Sequence, residues 1–147
     1  MSSGIERTLE YALFLARHLS HCDYSTVVIL ILCDLGIAPK NDGYICLKRA
    51  IAMYLENPTR QLKDDIYVEI LEELDGGVGN SDKVDQAIRR AITDAWEERD
   101  DEIWRVILPS TKKIDLGKPT NADFIARVAW FVELWQGCCK EVSYATK

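Results

Sequence analysis

Apolar residues recur along most of this chain at the three- and four-residue spacing of α-helices, and breaker residues divide the pattern into segments. Ile5, Leu9, Ala12, Leu13 and Ala16 predict an amphipathic helix over residues 5–19, with Ser2 or Ser3 as its cap. Tyr24 to Leu35 is ambiguous by pattern, because Val27, Val28, Ile29 and Ile31 also suit a buried strand. Its length and helical neighbours favour a helix that ends at Gly36. Pro39 and Asn41-Asp42-Gly43 make a turn. A third helix from Tyr44 to Leu55 has Ile45, Leu47, Ala50, Ile51 and Tyr54 available for its apolar face and is stopped by Asn57-Pro58. A fourth, from about Leu62 to Leu74, uses Ile66, Ile70, Leu71 and Leu74.

Three glycines within Asp75-Gly76-Gly77-Val78-Gly79-Asn80 cannot continue that helix. Asn80 or Ser81 then caps a fifth helix reaching about Arg99, with Val84, Ile88, Ala91, Ile92, Ala95 and Trp96 on one stripe. Residues 100–108 predict a short helix stopped by Pro109. The last helix opens at Pro119-Thr120-Asn121 and carries Phe124, Ile125, Val128, Phe131, Val132 and Trp135. No repeat, linker or low-complexity tract divides the sequence. The expected fold is all-α: one compact multi-helix domain over residues 1–147 that contains a helix-turn-helix and an extra N-terminal helix.

The net charge of −6 argues against indiscriminate affinity for nucleic acid, since phosphate binding is driven by Lys and Arg. The excess is local, however. Between residues 56 and 75, Arg60 and Lys63 stand against Glu56, Asp64, Asp65, Glu69, Glu72, Glu73 and Asp75. Acids and bases balance in residues 1–55 and again in 100–147. A cationic face elsewhere is compatible with the total.

Several function classes find no support. No apolar run approaches the roughly 20 residues that span a bilayer, and no basic-then-apolar leader opens the chain. The expectation is a cytoplasmic protein without membrane contact. Cys22, Cys33, Cys46, Cys138 and Cys139 are odd in number and contain no C-x-x-C pair, so neither a disulfide framework nor a zinc site is indicated. Buried free thiols are expected, with Cys138 and Cys139 as exposed exceptions near the tail. His18, His21 and Cys22 share a helical spacing but lack a fourth ligand, and read as a surface cluster rather than a metal site. With two histidines and no G-x-S-x-G, H-E-x-x-H or P-loop pattern, neither catalysis nor a cofactor is predicted. Glu69, Glu72 and Glu73 read as a solvated acidic face, and Trp96, Trp104, Trp130 and Trp135 as core.

Two helices joined by a glycine-containing turn, the second apolar on one side and polar on the other, form a helix-turn-helix candidate. Taking about 100° per residue from Val84, the polar side of the fifth helix holds Asp82, Gln86, Arg89, Arg90, Thr93 and Glu97, with Lys83 on its flank. Arginine pairs with guanine O6 and N7 in a bidentate manner, and glutamine pairs with adenine N6 and N7. A helix N-terminus also favours a nearby phosphate.

Three blocks of sequence, in order, resemble one family. Leu35-Gly36-Ile37-Ala38-Pro39-Lys40-Asn41-Asp42-Gly43-Tyr44 followed by Leu47-Lys48-Arg49-Ala50-Ile51 is similar to the start of the C-terminal effector domains of sporulation response regulators. Val84-Asp85-Gln86-Ala87-Ile88-Arg89-Arg90-Ala91-Ile92 with Ala95-Trp96 resembles their recognition helix. Lys118-Pro119-Thr120-Asn121 with Asp123-Phe124-Ile125-Ala126 resembles their last helix. The likeness covers residues 30–135, leaving 1–29 as an N-terminal helical extension and 136–147 as a C-terminal tail.

The resemblance implies a sequence-specific transcriptional regulator that binds double-stranded promoter DNA. RNA polymerase is then a candidate partner, and a homodimer formed through the extra helix a further one. Contacts carried over by position fall on Asp82, Lys83, Asp85, Gln86, Arg89 and Arg90. Arg89 keeps the family's arginine, Lys83 and Gln86 replace arginines, Asp85 replaces a glutamate and Asp82 a serine. Lys112, Lys113 and Lys118 fall where the family carries lysines and are assigned to the DNA backbone. Thr120 and Asn121 serve first as capping residues and second as DNA contacts. The family's receiver domain has no counterpart in the roughly 30 residues before the matching region, which read as helix. An alternative from another class is a protein-interaction module on the same fold, meeting a basic partner through the acidic face at 64–75.

Overall fold

The computed structural model describes residues 4–76, 79–109 and 117–145. Among the described residues it contains α1 (Gly4–Leu19), α2 (Tyr24–Asp34), α3 (Asp42–Glu56), α4 (Tyr67–Asp75), α5 (Asp82–Glu97), α6 (Asp101–Ile107) and α7 (Asn121–Ala145), and no strand. A π-helical turn at Leu62–Ile66 leads directly into α4. Short polar side chains set where the helices begin. Asp23 accepts from the Thr26 N–H (3.0 Å), Asn41 from Gly43 (3.1 Å) and Asp100 from Glu102 (3.0 Å), each satisfying an amide the first turn leaves without a partner. The ends are set by backbone: Gly36 and Gly76 take positive φ (89° and 65°), the conformation that closes a helix and suits glycine.

These boundaries resolve the ambiguous segment. Residues 24–34 are helix, because Asp23 caps one end, Gly36 closes the other, and Val27, Val28, Ile31 and Leu32 point into the interior. There α2 meets α3 and α7. The longest helix, α7, forms the centre. Phe124, Val128, Phe131 and Val132 are fully buried, and α1, α2, α3 and α5 all pack on it. The Trp104 indole N–H donates to the Leu35 carbonyl (3.1 Å), tying α6 to the end of α2.

Several expectations change. The inward face of α1 is Thr8, Ala12, Leu15 and Ala16, whereas Ile5 and Leu9 remain 58% and 43% exposed. The small buried side chains on this face allow close approach to α6 and α7, and the Thr8 hydroxyl donates to the Val106 carbonyl of α6 (2.6 Å). Trp130 lies on the outer side of α7 and is exposed, unlike the other three tryptophans. Cys138 is buried because α7 runs on through residues 136–145, and the exposed thiol is instead Cys33. Among the described residues no group of three His, Cys, Asp or Glu side chains is placed to hold a metal ion, and no helix is long and apolar enough to cross a membrane.

Candidate nucleic-acid interface

Where α5 starts, the Asn80 side chain accepts from the Asp82 N–H (3.0 Å), while the Ser81 side chain makes no capping bond. Asn80 is therefore the residue whose side chain opens the helix. Val84, Ile88, Ala91, Ile92 and Ala95 are buried, and Lys83, Gln86, Arg89 and Arg90 lie exposed on the opposite side. Gly43 sets how deeply α5 sits. A Cβ there would collide with the Ala87 carbonyl oxygen and the Ala91 methyl group, so only glycine permits this α3–α5 crossing.

Two clefts flank the exposed face. One, of about 470 Å³, lies between α3, α4 and α5 and takes Lys83, Gln86 and Arg90 together with Asp42, Ile45 and Leu74. The other, of about 330 Å³, lies between the π-helical turn, α5 and the start of α7. It gathers Lys63, Arg89, Lys118 and Thr120 with Asp85 and Asn121. Seven of the nine predicted contacts thus border one or other of the two clefts. Lys112 and Lys113 lie outside the described residues.

One of the seven, Asn121, turns its amide inward. It is 8% exposed, and its amide nitrogen donates inward to the Asp85 carbonyl (3.0 Å), the Asp85 carboxylate (3.1 Å) and the Tyr67 hydroxyl (3.3 Å). Burial pushes the Tyr67 phenol up to about 12, against a smaller downward pull from the Asn121 bond. Thr120 caps α7 by accepting from the Asp123 N–H (3.1 Å). The Lys118 ammonium donates to the Thr93 hydroxyl (2.9 Å), which donates to the Arg89 carbonyl (2.8 Å). Asp85 holds the Arg89 guanidinium at 2.7 Å, one helical turn away.

Sequence reasoning missed Lys63, whose acidic surroundings between residues 56 and 75 concealed it. No local pattern announces that the π-helical turn carries it to Arg89 and Lys118. The acidic segment itself is partly neutralised. Arg49 grips Glu73 with two bonds (2.8 and 2.7 Å), holding that carboxyl below its usual range. Arg60 reaches both Asp65 and Glu69.

Chemically, Lys63, Arg89 and Lys118 line a cleft with the Asp85 carboxylate and the start of a 25-residue helix, whose dipole carries partial positive charge at that end. Beside them stands an exposed helix side bearing one amide and two guanidinium groups. Such an arrangement favours a polyanion with readable polar edges.

The family described as "Sporulation initiation factor Spo0A C terminal" matches residues 28–132. The chain belongs to this family. It is a family of DNA-binding effector domains of sporulation transcription factors rather than of enzymes. The match runs from within α2 into α7 and includes both clefts and the whole of α5, whereas α1 lies outside it.

Proposed function

We propose that α5 is the recognition helix of a sequence-specific transcriptional regulator and enters the major groove of double-stranded promoter DNA. Gln86, Arg89 and Arg90 read base edges and Lys83 flanks them. Lys118, Lys63 and the capped start of α7 hold a backbone phosphate, which fixes orientation without reading sequence. The observation that carries this reading is the cleft where Lys63, Arg89 and Lys118 converge beside the exposed side of α5. Lys112 and Lys113 belong to the same backbone contact by their place in the chain. In this reading RNA polymerase is a second partner and the setting is cytoplasmic. Paired DNA sites would take two copies of the chain, for which the exposed Ile5, Leu9 and Phe14 of α1 offer an apolar surface.

The rival, recognition of a basic protein through residues 64–75, has less charge to work with, because Asp65, Glu69 and Glu73 are already paired within the chain. Salt-dependent binding to duplexes obtained by binding-site selection separates the two. Arg89→Ala should weaken the selected duplex by about 1–3 kcal/mol and relax preference at one base pair. If no duplex is selected, and replacing Arg89 and Arg90 together changes nothing, the DNA reading fails.

A further inference from the structure

We propose that Asn121 and Asp85 are positioning residues that aim Arg89, through a hydrogen-bonded relay anchored in the protein interior. This rests on α5 being the DNA-reading helix.

The Arg89 side chain is 59% exposed, and a long side chain in water samples many rotamers. An aspartate four residues earlier would ordinarily restrain it little, as exposed pairs of this kind are weak. Asp85 differs from such a partner because its side chain is only 13% exposed and both of its oxygens are engaged. Oδ2 takes the Arg89 guanidinium at 2.7 Å, while Oδ1 accepts from the Asn121 amide at 3.1 Å. Asn121 belongs to the first turn of α7, and its two N–H groups serve three acceptors, the third being the hydroxyl of Tyr67, itself 1% exposed. The carboxylate rotamer is thus set from the buried side by a different helix. It cannot turn without opening the start of α7.

The guanidinium keeps most of its five N–H donors for a base, since the pair with Asp85 occupies a single nitrogen. The relay also pairs the negative charge of Asp85, which would otherwise lie unneutralised beside the DNA. The same turn of α7 that carries the phosphate cleft therefore sets the direction of a base-reading arginine.

The test uses the full chain and two duplexes of equal length, one recovered by binding-site selection with the unaltered protein and one of scrambled sequence. Arg89→Ala, Asn121→Ala and the double variant are compared, with thermal unfolding to check that each is folded. The relay requires Asn121→Ala to weaken the selected duplex roughly tenfold, the scrambled one by less than about twofold, and to add less than about twofold when Arg89 is already alanine. Equal losses with and without Arg89, or on both duplexes, overturn the relay and leave Asn121 a purely structural role. If Arg89→Ala alone leaves the selected duplex bound as before, the reading of α5 fails, and the relay with it.

Should Asn121→Ala not fold, Asp85→Asn decides. It keeps the size and the acceptor for Asn121 and removes the charge that holds Arg89. The expected result is the same loss of discrimination, with the scrambled duplex bound as before or more tightly because one negative charge is gone. Full discrimination by Asp85→Asn overturns the proposal.

Discussion

Two neighbouring regions of this molecule use arginine in opposite ways. Around α3 and α4, Arg49 and Arg60 are consumed within the chain: each meets carboxylates of the acidic segment, and together they fasten α3 and the π-helical turn to α4. On the exposed side of α5, Arg90 makes no ion pair among the described residues, and Arg89 gives one nitrogen to Asp85 and keeps the rest exposed, whereas Arg99 after the helix and Arg127 of α7 are held within the chain. Both regions belong to one chain of net charge −6. Net charge therefore says little about which surface can receive a polyanion. What matters is whether the fold supplies each cation with an internal partner.

The largest way to break the comparison is to separate the two regions. Gly43→Ala forces α5 off α3, and the collision with backbone rather than with a flexible side-chain tip predicts a destabilisation of about 3 kcal/mol or more. Urea unfolding followed by circular dichroism measures it. Unchanged stability would mean that the crossing is looser than the structure has it.

Next comes Tyr67, the residue of α4 that reaches across to Asn121. Its phenol is raised on folding from 10.0 to about 12, so its contribution is complete below pH 10 and is lost as pH rises towards 12. Two units correspond to roughly 2–3 kcal/mol. Tyr11, raised by burial and then by Asp34, acts in the same direction. Urea midpoints between pH 9 and 12 should fall more steeply for the unaltered protein than for Tyr67→Phe, and parallel curves would contradict the assignment.

Smaller effects test the charges themselves. Arg90→Ala should leave stability within about 0.5 kcal/mol while weakening the selected duplex by about 1–2 kcal/mol. Lys118→Ala should weaken selected and scrambled duplexes alike and reduce the salt slope by about 0.9, as loss of one phosphate contact predicts. Arg49→Ala is the converse case, with unchanged DNA affinity and a stability loss of only about 0.5 kcal/mol, because its pair with Glu73 lies within reach of water. Should Arg49→Ala impair DNA binding as much as Arg90→Ala, the contrast between the regions would be lost.

By itself, the sequence determined what depends on local chemistry. Helical periodicity, Asp and Asn caps and the glycine stops are short-range features, so the order of helices and the exposed side of α5 could be read from residues 81–99 alone. The family followed from three blocks in order. Tertiary structure decided what depends on contacts between distant residues. Ile5 and Leu9 have the same spacing as Thr8, Ala12 and Ala16, and only close packing on α6 and α7 turns the small residues inward. Trp130 and Cys138 changed places with expectation because the direction of each depends on the register of α7 against its neighbours. Lys63 and Lys118 stand far apart in sequence on either side of Arg89, and Asn121 is 36 residues from Asp85. No periodicity encodes such meetings. They arise when helices that each need to bury an apolar face settle on one shared core, and that settlement leaves Arg90 without an ion pair among the described residues while Arg49 and Arg60 are paired beside α4.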